Sequence, residues 1–514
     1  VIHVSQKHRV VGVPFDPRVA NIFPTARRVT LKGNELLVVP HGMDETRFLR
    51  NLGHDIPAPI LSQYDWCGGK PYEVQRRTCA MLTTSRRAFV LNGLGTGKTR
   101  CAVWSFDYLR SVGLATRALV VAPLSTLNFT WKREVFMVAP HLSVGVLHGD
   151  KKRRLRTLAE DHDIYVINHD GIKVIEKELR EREGLDMMIV DELATYRNGT
   201  AARSKCAQRI AKGMDWVWGM TGTPMPNEPT DAWGQCMVVN PELVDKRMTR
   251  FRDEVMVKVT QFKWVPKRDA TETVFRTMQP AVRYSLDDVV ELPQLVVRAQ
   301  EVESGPKQLK VYDTMRVHAH SMVENKEITA ANAGAVLNKL LQISLGYVYN
   351  SRREVVELDG LPRQQALLDA ISSTDRKLIC WVPYTHALNG IAERLEKEGI
   401  DYRIVDGSTS KSKREETFTL FQNTDKVKVL LAHPATASHG LTLTAADTIV
   451  WYGPTTSLET YEQANGRITR IGQKAKQQII LLWATGVERR LYARLRKKES
   501  VQRDLLSLFA DASA

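Results

Sequence analysis

Twice along its 514 residues this chain repeats one rhythm: a short apolar run, a polar or glycine-rich loop, then a longer amphipathic stretch. The first series of apolar runs falls at residues 88–91, 118–121, 164–167 and 187–190, and the second at 378–382, 402–405, 427–431 and 448–452. Runs this short, bounded by turn residues, suit strands buried on both faces, and the stretches between them suit crossover helices. The rhythm therefore predicts an α/β chain with two parallel-sheet units. It lapses between about residues 245 and 360, where 306–322 and 330–345 read as helices, and residues 491–509 read as one basic amphipathic helix. Ahead of the first series, residues 29–31 and 36–39 are strand candidates joined by the turn Lys32-Gly33-Asn34, followed by a helix over 43–52 that ends before Gly53. There is no repeat of solenoid period and no low-complexity tract.

Composition narrows the class. Hydrophobic residues make up 43% and charged residues 25%, which excludes a mainly disordered chain. No apolar run approaches the ~18 residues that cross a bilayer, so a helical membrane protein is excluded. Val1-Ile2-His3-Val4 lacks a signal-peptide core, and Val1 implies an initiator Met that is absent or removed. The six cysteines have no C-x-x-C pair and read as reduced core residues of a cytosolic protein. The formal charge of +15 favours a polyanionic partner. It is spread as +3, +8 and +4 over residues 1–60, 61–298 and 299–514, which argues for a long basic surface over a basic tail.

The chemistry gathers behind the apolar runs. Asn92-Gly93-Leu94-Gly95-Thr96-Gly97-Lys98-Thr99 follows the first run and precedes a helical stretch. Its glycines Gly93, Gly95 and Gly97 let the backbone turn its N–H groups, Thr96 included, toward phosphate; Lys98 would reach the β- and γ-phosphates, and Thr99 would bind Mg2+. The strict pattern has glycine where Asn92 stands. The run 187–190 ends in Asp191-Glu192, at the edge of a parallel sheet where ligands bind. Alone this pair also suits a helix N-cap; behind a phosphate loop, Asp191 would hold Mg2+ and Glu192 would activate water. Thr221-Gly222-Thr223-Pro224 reads alone as a capped turn, and in this order as a coupling segment. In the second series, Gln463, Arg467 and Arg470 stand at i, i+4 and i+7, one face of a helix, which suits either a solvated basic face or arginines that meet a γ-phosphate. Residues 406–410 and 440–444 suit contacts to nucleic-acid phosphates and suit ordinary turns equally.

Taken in order, these motifs resemble the superfamily 2 helicases, and within them the SWI/SNF-type DNA translocases, over about residues 65–500. The strongest stretch is Gln463-Ala464-Asn465-Gly466-Arg467-Ile468-Thr469-Arg470-Ile471-Gly472-Gln473, similar to the family's final motif, and 430–447 looks like the fifth. Pro123-Leu124-Ser125-Thr126-Leu127 with Trp131 looks like motif Ia. The resemblance implies two RecA-like lobes with helical protrusions and ATP between them, plus a small α+β N-terminal module. Boundaries follow at 1–62, 63–298 and 299–514. It implies that Gln75 reads adenine, that Gly440 belongs to the ATP site, and that Lys98, Thr99, Asp191 and Glu192 are the ATPase residues. Arg467 and Arg470 match the finger positions, Arg470 being the favoured one. Thr221, Thr223 and Gln463 match coupling positions. Ser125, Thr126, Asn168, Thr409, Ser438 and Thr442 fall in or near motifs that touch the DNA backbone, so sequence-independent, salt-sensitive binding is expected.

The family's Asp-Glu-Ala-His is here Asp191-Glu192-Leu193-Ala194, which removes a histidine that links the acidic motif to the third motif, to which Thr221-Gly222-Thr223-Pro224 is similar. Thr221 to Pro229, with Trp233 and Gln235, looks like the annealing-helicase (HARP) and fork-remodelling branch, as do residues 406–410 with Arg414. The compact layout suggests a phage or bacterial version. The expected activity is ATP-driven tracking on duplex DNA that remodels branched DNA. The alternatives are a strand-separating helicase, displacement of DNA-bound proteins such as RNA polymerase, and a DNA-binding scaffold with a decayed motor. The expected setting is a monomer in the cytoplasm, associated with the nucleoid, with replication or recombination proteins as further partners and no membrane.

Overall fold

The computed structural model describes residues 2–31, 33–260, 263–286, 288, 293–324, 330–349, 354–437, 442–470 and 473–497. The chain divides into two compact units, Val1–Val289 and Val290–Ala514.

The first unit opens with an antiparallel four-stranded sheet, in the order His3–Ser5, Val10–Pro14, Asn34–Pro40, Arg27–Leu31. The turn at Gly33 takes φ +80°, a conformation that glycine adopts without a Cβ penalty. Val11, Val13, Leu37 and Val39 point to one side and close a small core with Val19, Leu49 and Ile56. The helix Met43–Asn51 follows and is bonded to the rest of the unit: Arg47 Nε donates to Thr84 O at 3.2 Å and Arg50 Nη1 to Thr84 Oγ1 at 3.4 Å.

The body of this unit is a seven-stranded sheet, parallel throughout. Its order is Ala281–Val282, Arg87–Val90, Trp216–Met220, Leu185–Asp191, Arg117–Ala122, Ile164–Asn168, Val144–Leu147. Strand periodicity assigns the two faces. Phe89, Leu119 and Val121 enter one core, and Ala88, Val90, Ala118, Val120 and Ala122 enter the other. Helices cover both faces, so the central strands are apolar on both sides, which is why they read as unbroken runs.

The second unit is a six-stranded parallel sheet, in the order Leu295–Glu301, Gln477–Trp483, Ala446–Trp451, Lys377–Trp381, Val429–Ala432, Tyr402–Val405. The helices Pro306–Glu324 and Ala330–Ser344 fill the lapse in the rhythm. Two of the six strands escaped the sequence rhythm. Leu295–Glu301 is an edge strand, mostly exposed, and its Arg298 and Gln300 break the apolar run. Gln477–Trp483 lies beyond the motif-rich stretch and opens on two glutamines, Gln477 and Gln478. The basic helix starts earlier than expected, as Gly486–Arg496, because Thr485 and Glu488 form a capping box; residues beyond 497 lie outside the described set.

That capping glutamate has a second partner. Arg363 Nη2 meets Glu488 Oε2 at 2.9 Å, both side chains being almost fully buried, and Arg363 Nη1 donates to Tyr452 O at 2.5 Å. Removing one partner leaves a buried charge unmatched. Arg363→Met is therefore expected to destabilise the second unit by about 3–5 kcal/mol, and adding Glu488→Leu should recover only part of it, because the cap bonds to Ala484 N and Thr485 N go with the carboxylate. Urea midpoints of the wild type and the two variants check this.

Candidate nucleotide site and nucleic-acid contacts

The loop between Val90 and Lys98 turns through two left-handed glycines, Gly95 at φ +79° and Gly97 at φ +85°. A Cβ on Gly97 would also sit 2.4 Å from Gln75 Nε2, so a side chain here would displace that amide as well as strain the backbone. Lys98 opens the 14-residue helix Lys98–Ser111, whose N-terminal N–H groups form an anion-binding end. The Lys98 ammonium donates to Asn92 O at 2.9 Å and Gly93 O at 3.0 Å, and Thr96 Oγ1 donates to Gly93 O at 2.9 Å. The loop is thus closed on its own lysine.

Asn92, the departure from the strict pattern, is a brace. Its Nδ2 donates to Thr78 Oγ1 at 3.1 Å and its Oδ1 accepts from Tyr284 N at 3.0 Å. Gly93 N donates to Tyr284 O at 2.8 Å. Glycine could make neither side-chain bond. Gln75 is buried, and its amide is engaged at both ends: Oε1 accepts from Tyr72 N at 3.1 Å and Nε2 donates to Thr96 O at 3.0 Å. In this structure it ties its helix, Glu73–Thr84, to the phosphate loop.

The acidic pair arrives on the neighbouring strands. Arg87–Val90, Trp216–Met220 and Leu185–Asp191 are adjacent and parallel, so their C-terminal ends lie side by side. Thr221 N donates to Val90 O at 3.0 Å, Thr223 N donates to Thr221 Oγ1 at 3.2 Å, and a Cβ on Gly222 would lie 3.5 Å from Asn92 O. Lys98, Asp191 and Thr221 are therefore brought to one sheet edge. Asp191 Oδ2 accepts from Trp131 Nε1 at 3.0 Å and Oδ1 from Glu192 N at 3.1 Å. Burial raises the Asp191 pKa above the ordinary carboxylate value, opposed by the Trp131 bond and by the Lys98 charge. Glu192 sits at φ 53°, ψ 54°, a left-handed conformation rare for a residue with a side chain and frequent at working sites.

The missing histidine has a substitute of another kind. Leu193 is fully buried against Gly219, where a Cβ would meet Leu193 Cδ2 at 2.5 Å. Apolar packing thus joins the acidic motif to the strand that leads into Thr221. Nearby, burial pulls the neutral His169 down to about 3, and its Nδ1 faces Tyr196 Oη at 3.1 Å.

Among the described residues no group of three His, Cys, Asp or Glu side chains could hold a metal. Asp191 and Thr99 offer hard oxygen donors only. They fit an Mg2+ ion completed by water and phosphate oxygens, not a resident metal cage.

Of the residues expected at the nucleic acid, Thr126, Asn168, Thr409 and Thr442 are engaged locally. Thr126 Oγ1 donates to Pro123 O at 2.9 Å, while the buried Ser125 Oγ has no hydrogen-bond partner. Asn168 Oδ1 accepts from Arg154 Nη1 and Nη2, each at 3.3 Å. In the second unit Asp406 organises a turn that accepts from Ser408 and from Thr409 Oγ1 at 3.0 Å; these bonds, led by that from Ser408, hold its carboxyl below the usual range. Thr442 Oγ1 accepts from Arg470 Nη1 at 3.3 Å. Ser438 and Gly440 lie outside the described residues.

The single helix face expected for Gln463, Arg467 and Arg470 is corrected here. The helix Leu458–Asn465 stops at Gly466, and only Gln463 lies on it, its Nε2 donating to Glu459 Oε1 at 3.1 Å. Arg470 Nε donates to Gly466 O at 2.9 Å, and Arg467 O accepts from Leu443 N at 3.0 Å. Those bonds take main-chain groups that a continued helix would have used.

The SNF2-related domain matches residues 75–358, more than half of the chain, and the helicase conserved C-terminal domain matches 362–472. The chain belongs to the SNF2-related family. As an SNF2-family chain it carries the SNF2-related domain and the helicase conserved C-terminal domain in succession. A Mycoplasma pneumoniae protein described as an uncharacterized ATP-dependent helicase is 24% identical over 430 residues, 80% of this chain and 40% of that protein. Putative protein p41 of Acyrthosiphon pisum secondary endosymbiont phage 1 is 26% identical over 76% of this chain and 86% of its own length. The Xenopus tropicalis SWI/SNF-related matrix-associated actin-dependent regulator of chromatin subfamily A-like protein 1 is 24% identical over 84% of this chain and 44% of its own. The chain thus spans 40–44% of the length of the Mycoplasma and frog relatives. A solved structure, the Sulfolobus solfataricus SWI2/SNF2 ATPase core in complex with dsDNA, aligns at TM-score 0.41 and 20% identity, covering 86% of this chain and 94% of that one.

Proposed function

We propose that this SNF2-family chain hydrolyses ATP to ADP and phosphate while tracking on duplex DNA, and that it remodels branched DNA by fork regression, branch migration or annealing. The observation that carries the reading is the meeting of Lys98, Asp191, Glu192 and Thr221 at one sheet edge, at and just beyond the C-terminal ends of three adjacent parallel strands. In this scheme Lys98 leaves the carbonyls of Asn92 and Gly93 and meets the β- and γ-phosphates. Thr99 and Asp191 hold Mg2+, which when bound neutralises charge developing on the phosphates. Glu192 takes the proton of the attacking water, and Arg467 and Arg470 supply positive charge to the γ-phosphate. Gln75 reads adenine once its amide releases Thr96. Gln463, Thr221 and Thr223 couple this site to DNA contacts at Ser125, Thr126, Asn168, Thr409, Ser438 and Thr442.

The fork-remodelling branch is supported by the segment after Thr221. Gln235 Nε2 donates to Pro224 O at 2.6 Å, so Gln235 holds the loop that carries Thr221 and Thr223. The phage relative, covered over 86% of its length, supports a phage or bacterial version acting in the cytoplasm. Residues 1–62 are proposed as a small DNA-binding module ahead of the motor.

The test is ATP turnover with single-stranded, duplex, forked and four-way-junction DNA and with RNA. Duplex-containing DNA is expected to stimulate turnover about tenfold or more, with the stimulation falling as salt rises. Triplex displacement without unwinding of a tailed duplex is the expected sign of translocation. Best stimulation by RNA overturns the reading.

A further inference from the structure

Trp131 is fully buried in a six-residue π-helix, Leu127–Lys132, that runs straight into the helix Arg133–Val138. Single π-turns recur at functional sites. A buried indole needs an acceptor for its N–H, and a carbonyl at the end of a neighbouring element is the usual choice. Four other indoles of this unit take that choice: Trp104, Trp216, Trp218 and Trp233 donate to main-chain oxygens of Cys67, Leu114, Ser85 and Asp245 at 2.9–3.2 Å. Trp131 instead donates to Asp191 Oδ2 at 3.0 Å, while Oδ1 takes Glu192 N at 3.1 Å. The carboxylate is thus fixed in rotation by one donor on each oxygen. The following helix is tied to the same site from its other side, since Glu134 Oε1 meets Arg100 Nε at 2.5 Å, two residues after Lys98. Ser125 and Thr126 stand immediately before the π-helix, Thr126 being its N-cap.

We infer that Trp131 is a positioning residue: its indole N–H aims the Asp191 carboxylate at Mg2+, and its π-turn carries displacement at Ser125 and Thr126 to that acid. The inference rests on the proposed function and adds to it a route by which DNA contact tunes the nucleotide site. A shift of the turn by a fraction of an ångström lengthens the indole bond and frees the carboxylate to rotate. Second-layer donors of this kind commonly change metal affinity 10- to 100-fold when removed.

The test uses the full chain and a fluorescent N-methylanthraniloyl-ADP probe, titrated with Mg2+ and in EDTA. Trp131→Phe keeps an apolar ring and deletes the donor. It is expected to bind the probe as the wild type does in EDTA, to need about tenfold more Mg2+ for half-saturation, and to lose about fivefold of the DNA stimulation of turnover at unchanged DNA affinity. A superimposable Mg2+ titration overturns the inference, and so does a lowered melting temperature with unchanged Mg2+ response, which marks a ring that only fills the core. Should the Phe variant fail to fold, β-(3-benzothienyl)alanine at position 131 preserves the shape without the N–H and is read in the same titration. A wild-type chain with neither Mg2+-dependent probe binding nor ATP turnover overturns the proposed function, and this inference with it. A responsive wild type matched by the variants overturns the Trp131 role alone.

Discussion

Lys98→Ala is expected to bring ATP turnover to background, a loss on the order of 10³-fold, with DNA binding still measurable. The structure separates what that substitution removes from what it leaves. The left-handed glycines Gly95 and Gly97 remain, as does the N-terminal end of Lys98–Ser111. The loop also keeps the Thr96 Oγ1 bond to Gly93 O at 2.9 Å and both side-chain bonds of Asn92. What disappears is the ammonium that closes the loop, resting on two carbonyls at 2.9 and 3.0 Å. A small drop in melting temperature should accompany a near-total loss of phosphate release. Phosphate release at saturating duplex DNA and anisotropy of labelled DNA give the two readouts. Near-normal turnover in this variant would refute the site.

Glu192→Gln is the second large effect. Loss of a positioned base is expected to slow turnover roughly 10²- to 10⁴-fold while Mg2+-dependent nucleotide binding persists, so the variant should trap nucleotide. The backbone supplies a control. Glu192 holds φ 53° and ψ 54°, a conformation that costs a side-chain residue energy and costs glycine nothing. Glu192→Gly should therefore be as inactive as Glu192→Gln, yet melt no lower than the wild type. Scanning calorimetry beside the turnover assay reads both. A glycine variant that melts well below the wild type would mean that the glutamate side chain, not the backbone, holds this turn.

The parts of this picture that were legible in the sequence share a physical cause. Strands buried on both faces must be apolar throughout, so 118–121 and 187–190 announce themselves, and phosphate loops need glycines at fixed spacing. Edge strands obey neither rule. Leu295–Glu301 pairs on one side only and tolerates Arg298 and Gln300, which hid it. The arginine pair was misplaced onto a helix because i, i+4, i+7 spacing says nothing of a helix that stops at Gly466. Asn92 looked like a defect in a motif. Its role depends on Thr78 and Tyr284, and no local pattern connects positions so far apart. Trp131 was visible as part of a motif, but its bond to Asp191 joins elements 60 residues apart and exists only in the fold.

The Asn92–Tyr284 brace also imposes an order on synthesis. The strand Arg87–Val90 takes Trp216–Met220 on one side and Ala281–Val282 on the other, both made after it. Asn92 waits a further 192 residues for Tyr284. At roughly 5–20 residues per second, the phosphate loop leaves the ribosome some ~10–40 s before its brace. Through that interval the strand gains Trp216–Met220 but still lacks Ala281–Val282, and the Gly93 N–H and Asn92 Oδ1 lack their Tyr284 partners. The loop is therefore completed late in the nascent chain, once the first unit is almost wholly made.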